Sequence, residues 1–255
     1  MIDPILTSLG LFIGTLVGLT GVGGGALLTP LLILVVGVRP MTAIGTDLAF
    51  AAITKGVGAI QHQRHGTSDF RLVFRLAMAS IPGALVGAWF ISVLDTSDTV
   101  NVEALLTRFL GVVLLVSASA SLLRIFGLSW AKDTKKELGF VATAGFGVAI
   151  GFMVGMTSVG AGSILMAVLA IFYGRLGAAQ AVGVDVTHGA VLAVVAAMAH
   201  GAAGRIEIPM VVSLLIGSIP GVILGSWLCS RLPGRPLRVG IAAMLAVSGA
   251  HLLWT

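Results

Sequence analysis

Few residues in this sequence can do chemistry, and those that can sit where charge is costly. Asp47 and Asp185 fall six or seven residues inside long apolar runs, Lys55 lies further along the first run, and His188 follows Asp185 by three. An ionisable side chain within a segment of membrane depth marks an ion or substrate path by default, because desolvating it is expensive. On a helix Asp185 and His188 share a face, as do Asp47 and Thr54. A second set is two clusters of small residues, Thr20-Gly21-Val22-Gly23-Gly24-Gly25 and Thr157-Ser158-Val159-Gly160-Ala161-Gly162, the latter followed by Ser163. Glycine at that density breaks a helix, and the half-helix that restarts near Gly25-Ala26 or Gly162-Ser163 presents bare N–H groups and a positive dipole end. Such an end suits an anion. The candidate substrate-binding residues are therefore Thr20, Gly21, Gly23, Gly24, Gly25, Thr157, Ser158, Gly160, Gly162 and Ser163, with Lys55 as a cation. Asp47, Asp185 and His188 are the candidates for proton handling. The blander readings are that the glycines only let helices pack closely, as we read Gly14 with Gly18 and Gly151 with Gly155, and that the aspartates start their helices near the interface. His62, His65 and His200 read as interfacial residues at span ends.

The elements that must position these groups follow from composition. The chain has 255 residues, 57% hydrophobic and 10% charged, with a mean hydropathy of +1.09. A soluble domain carries about 25% charged residues, so a soluble enzyme is excluded and a multi-span membrane protein is implied. Glycine, at 35 residues, is about twice its usual ~7%. The net charge of +5 comes with no basic stripe interleaved with aromatics, so nucleic acid is not a partner this sequence implies. Cys229 is the single cysteine, which leaves no disulfide framework and no cysteine-based metal site. Neither a cofactor nor a metal is called for. The start, Met1-Ile2-Asp3-Pro4, lacks the positive region of a cleaved signal, so the first apolar run is expected to be retained.

Eight apolar stretches stand out, near 5–38, 41–61, 72–94, 103–123, 138–174, 178–199, 208–230 and 237–254. Six have the length of one membrane-spanning helix. The stretches 5–38 and 138–174 are too long for one span and short for two, and they are the ones that carry the glycine breaks. They also belong to an internal repeat. Gly14, Gly18, Thr20, Val22, Gly23 and Gly25 return 137 positions later as Gly151, Gly155, Thr157, Val159, Gly160 and Gly162. At an offset of 138, Gly45-Thr46-Asp47 returns as Gly183-Val184-Asp185, and Ser80-Ile81-Pro82-Gly83 as Ser218-Ile219-Pro220-Gly221. Lys55 has no charged counterpart, since Ala193 stands there. Pro82 and Pro220 read as matched kinks. The chain divides into repeats of 1–131 and 132–255 that together form one transmembrane domain.

Basic residues indicate how the repeats run. If each broken segment crossed once, the Lys and Arg of the loops would split 8 to 6 between the two sides. If each is a hairpin that returns to its starting side, the repeats are inverted and the split is 11 to 3, leaving only Arg39, Arg108 and Arg205 on the poorer side. The positive-inside rule favours inversion. The expected fold is thus all-α and polytopic, with two inverted repeats, each a Gly-broken helical hairpin plus three transmembrane helices.

The combination Gly18-Leu19-Thr20-Gly21-Val22-Gly23-Gly24-Gly25 with its echo at 155–162, Gly45-Thr46-Asp47, His65-Gly66-Thr67, Ser80-Ile81-Pro82-Gly83 and Ser218-Ile219-Pro220-Gly221 resembles the sulfite exporter TauE/SafE family of membrane permeases. The resemblance covers nearly the whole chain. It implies secondary transport of a small, mostly sulfur-containing anion such as sulfite or an organosulfonate, in the plasma (inner) membrane of a prokaryote. Many members carry Ser where Asp47 and Asp185 stand, so this chain resembles an Asp-bearing subgroup. Two extra carboxylates repel an anion unless protonated or paired, and either escape links transport to protons.

The expectation is a permease that moves a small anion by alternating access between its two repeats, with the lipid bilayer as its other partner and homo-oligomers open to it. An anion channel or a non-transporting scaffold is the alternative. An intramembrane aspartyl protease is remote, because Gly-Thr-Asp and Gly-Val-Asp fall short of the Gly-x-Gly-Asp such enzymes need. No enzymatic activity is expected.

Overall fold

The computed structural model describes residues 2–20, 25–96, 101–126, 139–229 and 234–254. These form ten α-helices and no strand. The first half holds α1 (Pro4–Thr20), α2 (Gly25–Leu31, continued by a π-helical turn over Leu32–Val36), α3 (Pro40–Arg64), α4 (Phe70–Asp95) and α5 (Val102–Ile125). The second holds α6 (Phe140–Thr157), α7 (Ser163–Phe172), α8 (Ala178–Ala202), α9 (Ile208–Cys229) and α10 (Gly234–Trp254). Seven of the helices are long and apolar enough to cross a membrane. The six simple apolar stretches each become one helix; 138–174 becomes a pair broken at 157–163, and 5–38 holds α1 and α2 on either side of residues 21–24. Local signals set several starts: Pro40 opens α3, Asp69 caps α4 by accepting from the Arg71 and Leu72 amides, and Asn101 caps α5 through the Ala104 amide.

The second broken segment folds back on itself. Tyr173, just past α7, hydrogen-bonds through its hydroxyl to Thr143 in the first turn of α6 at 2.6 Å, and Phe146 packs on Phe172 with ring centroids 5.6 Å apart. The end of α7 therefore lies beside the beginning of α6.

Glycine governs how the helices meet. A Cβ on Gly14 would lie 2.4 Å from the Ser218 carbonyl oxygen, and one on Gly151 would lie 2.0 Å from that of Ser80. Gly10 and Gly217 make the same approach between α1 and α9, and Gly155 and Gly83 between α6 and α4. Matched positions ascend together in both pairs, so α1 runs parallel to α9 and α6 parallel to α4. Helices α4 and α9 continue through Pro82 and Pro220, and the glycines after those prolines serve the crossings. The other two main pairs run antiparallel. In α3 and α8, Gly45 meets the Arg205 carbonyl, Gly58 meets Val186, and Gly183 meets the Thr67 carbonyl. Helices α5 and α10 cross where Gly111 and Gly249 each approach the other's carbonyl at 2.8 Å.

His200 departs from the interfacial position expected of it. It is fully buried, with Nε2 2.8 Å from the Gly155 carbonyl oxygen. The physical reason is the antiparallel pairing, which brings the end of α8 under α6. His65 is exposed and His62 half-buried.

We predict that Gly151→Val and Gly217→Val prevent assembly of a stable fold, because backbone carbonyls cannot retreat from a new side chain as a side chain can. The matched control, Gly56→Ala, meets open space and is expected to leave the melting temperature of the detergent-purified protein unchanged or raised.

Candidate functional site

The break between α6 and α7 is built from unusual backbone. Ser158 adopts φ 63°, Gly160 φ 125° and Gly162 φ 119°. Glycine alone adopts the last two readily, while a serine at left-handed φ is held there by its surroundings. The holding group is Asp47. The Ser158 hydroxyl donates to Asp47 Oδ2 at 2.9 Å, and the Thr29 hydroxyl from α2 makes a short hydrogen bond to the same oxygen. Asp47 is fully buried and its Oδ1 has no partner among the described residues. One carboxylate on α3 thus ties the first half's short helix to the second half's break.

Asp185 on α8 plays a related part at the start of α7. Its Oδ2 lies 4.0 Å from where a Cβ on Gly162 would stand, beside the N–H groups that a helix beginning inside the membrane leaves bare. Its Oδ1 is buried without a partner, and so is the neighbouring Ser163 hydroxyl. Lys55 lies between the two aspartates. It is 8% exposed, its ammonium packs over Gly189, whose missing side chain leaves the room, and its charge acts on both Asp47 and Asp185. Asp47 thus has hydrogen-bonding partners of its own, and one cation is close enough for its charge to act on both carboxylates.

The remaining expected residues divide. His188 faces α4 and not Asp185: its Nε2 is 2.8 Å from the Ser80 hydroxyl, and Nδ1 is buried without a partner. Thr157 is spent on the break itself, donating to the Met153 carbonyl and accepting from the Val159 amide. Thr54 donates to carbonyls of its own helix. Gly21, Gly23 and Gly24 lie outside the described residues, while Thr20 ends α1 and Gly25 begins α2. Both aspartates stand well inside their helices and neither caps one.

A cavity of about 120 Å³ adjoins this network. Its polar lining is Ser121, Arg124, Gly162, Ser163, Asp185 and Arg238, and its apolar lining includes Ala26, Leu27, Met166, Val182, Ile241 and Leu245. The starts of α2 and α7 therefore reach one space. That volume is well above the roughly 10–15 Å³ one water needs. Arg124 and Arg238 were legible in the sequence only as loop charges. They converge because α5 ends where its antiparallel partner α10 begins, a juxtaposition that the repeat combined with the basic-residue count could have exposed. Arg124 is half-buried and close enough to feel the charges of Asp185 and Arg238. At the start of α3, on the other end of the bundle, lies an ion pair. Arg205 is buried, pairs with Asp95 at 3.5 Å and lays its carbonyl against Gly45.

Removing the Ser158 hydroxyl leaves Asp47 with a single donor, so Ser158→Ala is expected to lower stability by about 1–3 kcal/mol. Thr54→Val, which alters no contact between helices, is expected to be near neutral. Thermal unfolding of the two variants in one detergent checks the difference.

The sequence profile of the sulfite exporter TauE/SafE family matches residues 6–252. The chain is 39% identical over 250 residues to the probable membrane transporter protein YjnA of Bacillus subtilis, covering 96% of this chain and 97% of that protein. It is 25% identical to the probable membrane transporter protein YdhB of the same organism, over 95% and 96% of the two chains. It is 24% identical to the probable membrane transporter protein MJ0441 of Methanocaldococcus jannaschii, over 98% and 95%. No solved structure matches. With seven helices able to cross a bilayer, this is a multi-pass integral membrane protein, and the chain belongs to the sulfite exporter TauE/SafE family of membrane transporters.

Proposed function

We propose that the chain is a secondary transporter of a small anion, with sulfite or an organosulfonate as the substrate class, built from two inverted repeats (1–131 and 132–255) that alternate access to the cavity. The observation that carries this reading is the convergence of two half-helix starts, two arginines and a buried unpartnered hydroxyl on one space. Half-helix N-termini and guanidinium groups are the usual means of holding an oxyanion where water is scarce. Inversion is supported by the antiparallel course of α3 against α8 and of α5 against α10, since the sequence repeat makes each of these pairs equivalent. That arrangement gathers Arg64, Arg71, Arg75, Arg124, Arg175 and Arg238 at the cavity's end of the bundle, the cytoplasmic end by charge. Lys55, Asp47 and Asp185 form the coupling network: a proton taken by either carboxylate alters the charge beside the substrate and releases a hydrogen bond that holds a break.

The test is uptake of labelled sulfite and sulfonates into proteoliposomes with and without a pH gradient. Arg124→Gln and Arg238→Gln are each expected to raise KM about tenfold, the scale of one lost hydrogen bond to a charged group. Lys55→Met is expected to abolish the dependence on the gradient. Absence of flux across the whole anion panel overturns the reading.

A further inference from the structure

Asp185 is out of place in a cavity for an anion. It lines the same space as Arg124 and Arg238, it is 4% exposed, and one of its oxygens is buried with nothing to accept from. In its ionised form a carboxylate can only accept, so the partner it lacks must then bring a donor. A substrate offering nothing but lone pairs would leave Asp185 unsatisfied and place like charges side by side.

Three kinds of donor could answer this, and the surrounding charges choose among them. A bound ammonium would meet Asp185 but would also face Lys55, whose charge already acts on that carboxylate, and the two cavity arginines. Asp47 and Asp185 together already fall one charge short of Lys55, Arg124 and Arg238, and an incoming fourth cation widens that imbalance. A hydroxyl donates without adding charge. Water could fill the gap beside a purely inorganic anion. However, the cavity is also lined by Leu27, Met166, Val182 and Ile241, and apolar walls favour a ligand with carbon of its own.

Resting on the reading of this site as an anion cavity, we infer that its preferred ligand is a small organic oxyanion carrying a hydroxyl group. The oxyanion meets Arg124 and Arg238, the hydroxyl donates to the Asp185 carboxylate, and the short carbon chain lies on the apolar lining. Asp185 then acts as a specificity-determining residue. It accepts from the right ligand and repels ligands that have charge but no donor.

Calorimetric binding to the full-length, detergent-purified protein tests this with four probes: 2-hydroxyethanesulfonate, ethanesulfonate, 2-aminoethanesulfonate and inorganic sulfite. The hydroxy compound is expected to bind at least tenfold tighter than ethanesulfonate, about 1.4 kcal/mol, and tighter than the other two. In Asp185→Ala the hydroxy and unsubstituted sulfonates should fall within about twofold of each other. In Arg238→Gln both should weaken together with their ratio kept. The wild-type ranking decides the matter even if Asp185→Ala does not fold. Equal binding of the two sulfonates, or tighter binding of the amino compound or of sulfite, overturns the inference and leaves the anion cavity standing. Failure of all four to bind overturns both.

Discussion

A helix that stops inside hydrocarbon leaves amide groups that no lipid can satisfy, and this constraint organises the molecule. The start of α7 faces Asp185, whose Oδ2 lies beside Gly162. The left-handed turn at Ser158 is answered by Asp47, which also binds Thr29. Two carboxylates in a membrane protein would be untenable alone, and Lys55 between them supplies the compensating charge. Each part needs the others. Without the break at 157–163 Asp47 would lose its Ser158 donor, and without Asp47 the left-handed turn at Ser158 would lose its acceptor.

The second constraint is contact distance. Lipid gives helices no hydrophobic reason to associate, so they must meet closely enough for dispersion and backbone contacts to hold them. Glycines on α1, α4, α6 and α9 let carbonyls approach to distances that any side chain would forbid. This explains an aromatic content of only 6% beside 35 glycines: the helices interlock through backbone instead of rings. The same device serves the charge network, because Gly189 makes room for the Lys55 ammonium. The two halves are alike in helix order but not in chemistry, since Ala193 stands where the second half would carry its own lysine.

Much of this architecture was legible in the residues. Spans, breaks and repeat all came from local properties: apolar length, glycine density and matched motifs at a fixed offset. Asp47, Asp185 and Lys55 stood out because an ionisable residue in an apolar run has a cost that composition alone reveals. His200 did not, because its burial depends on the end of α8 tucking under α6, which no local pattern encodes. Thr157 looked like a cavity hydroxyl and is instead used by its own break, a choice set by one or two backbone angles.

What the sequence by itself determined is the class of molecule, the places where its helices stop, and the few side chains whose charge demands a partner. These are properties of a residue and its near neighbours, and they survive without knowledge of the fold. Only the tertiary structure decided which partners those charges take. It gave Asp47 to a serine 111 positions away, turned His188 towards Ser80 instead of Asp185, and brought Arg124 at the end of α5 and Arg238 at the start of α10 to one cavity. Partnership at that range depends on which helices run antiparallel and in what register, and side-chain packing across the whole bundle sets both.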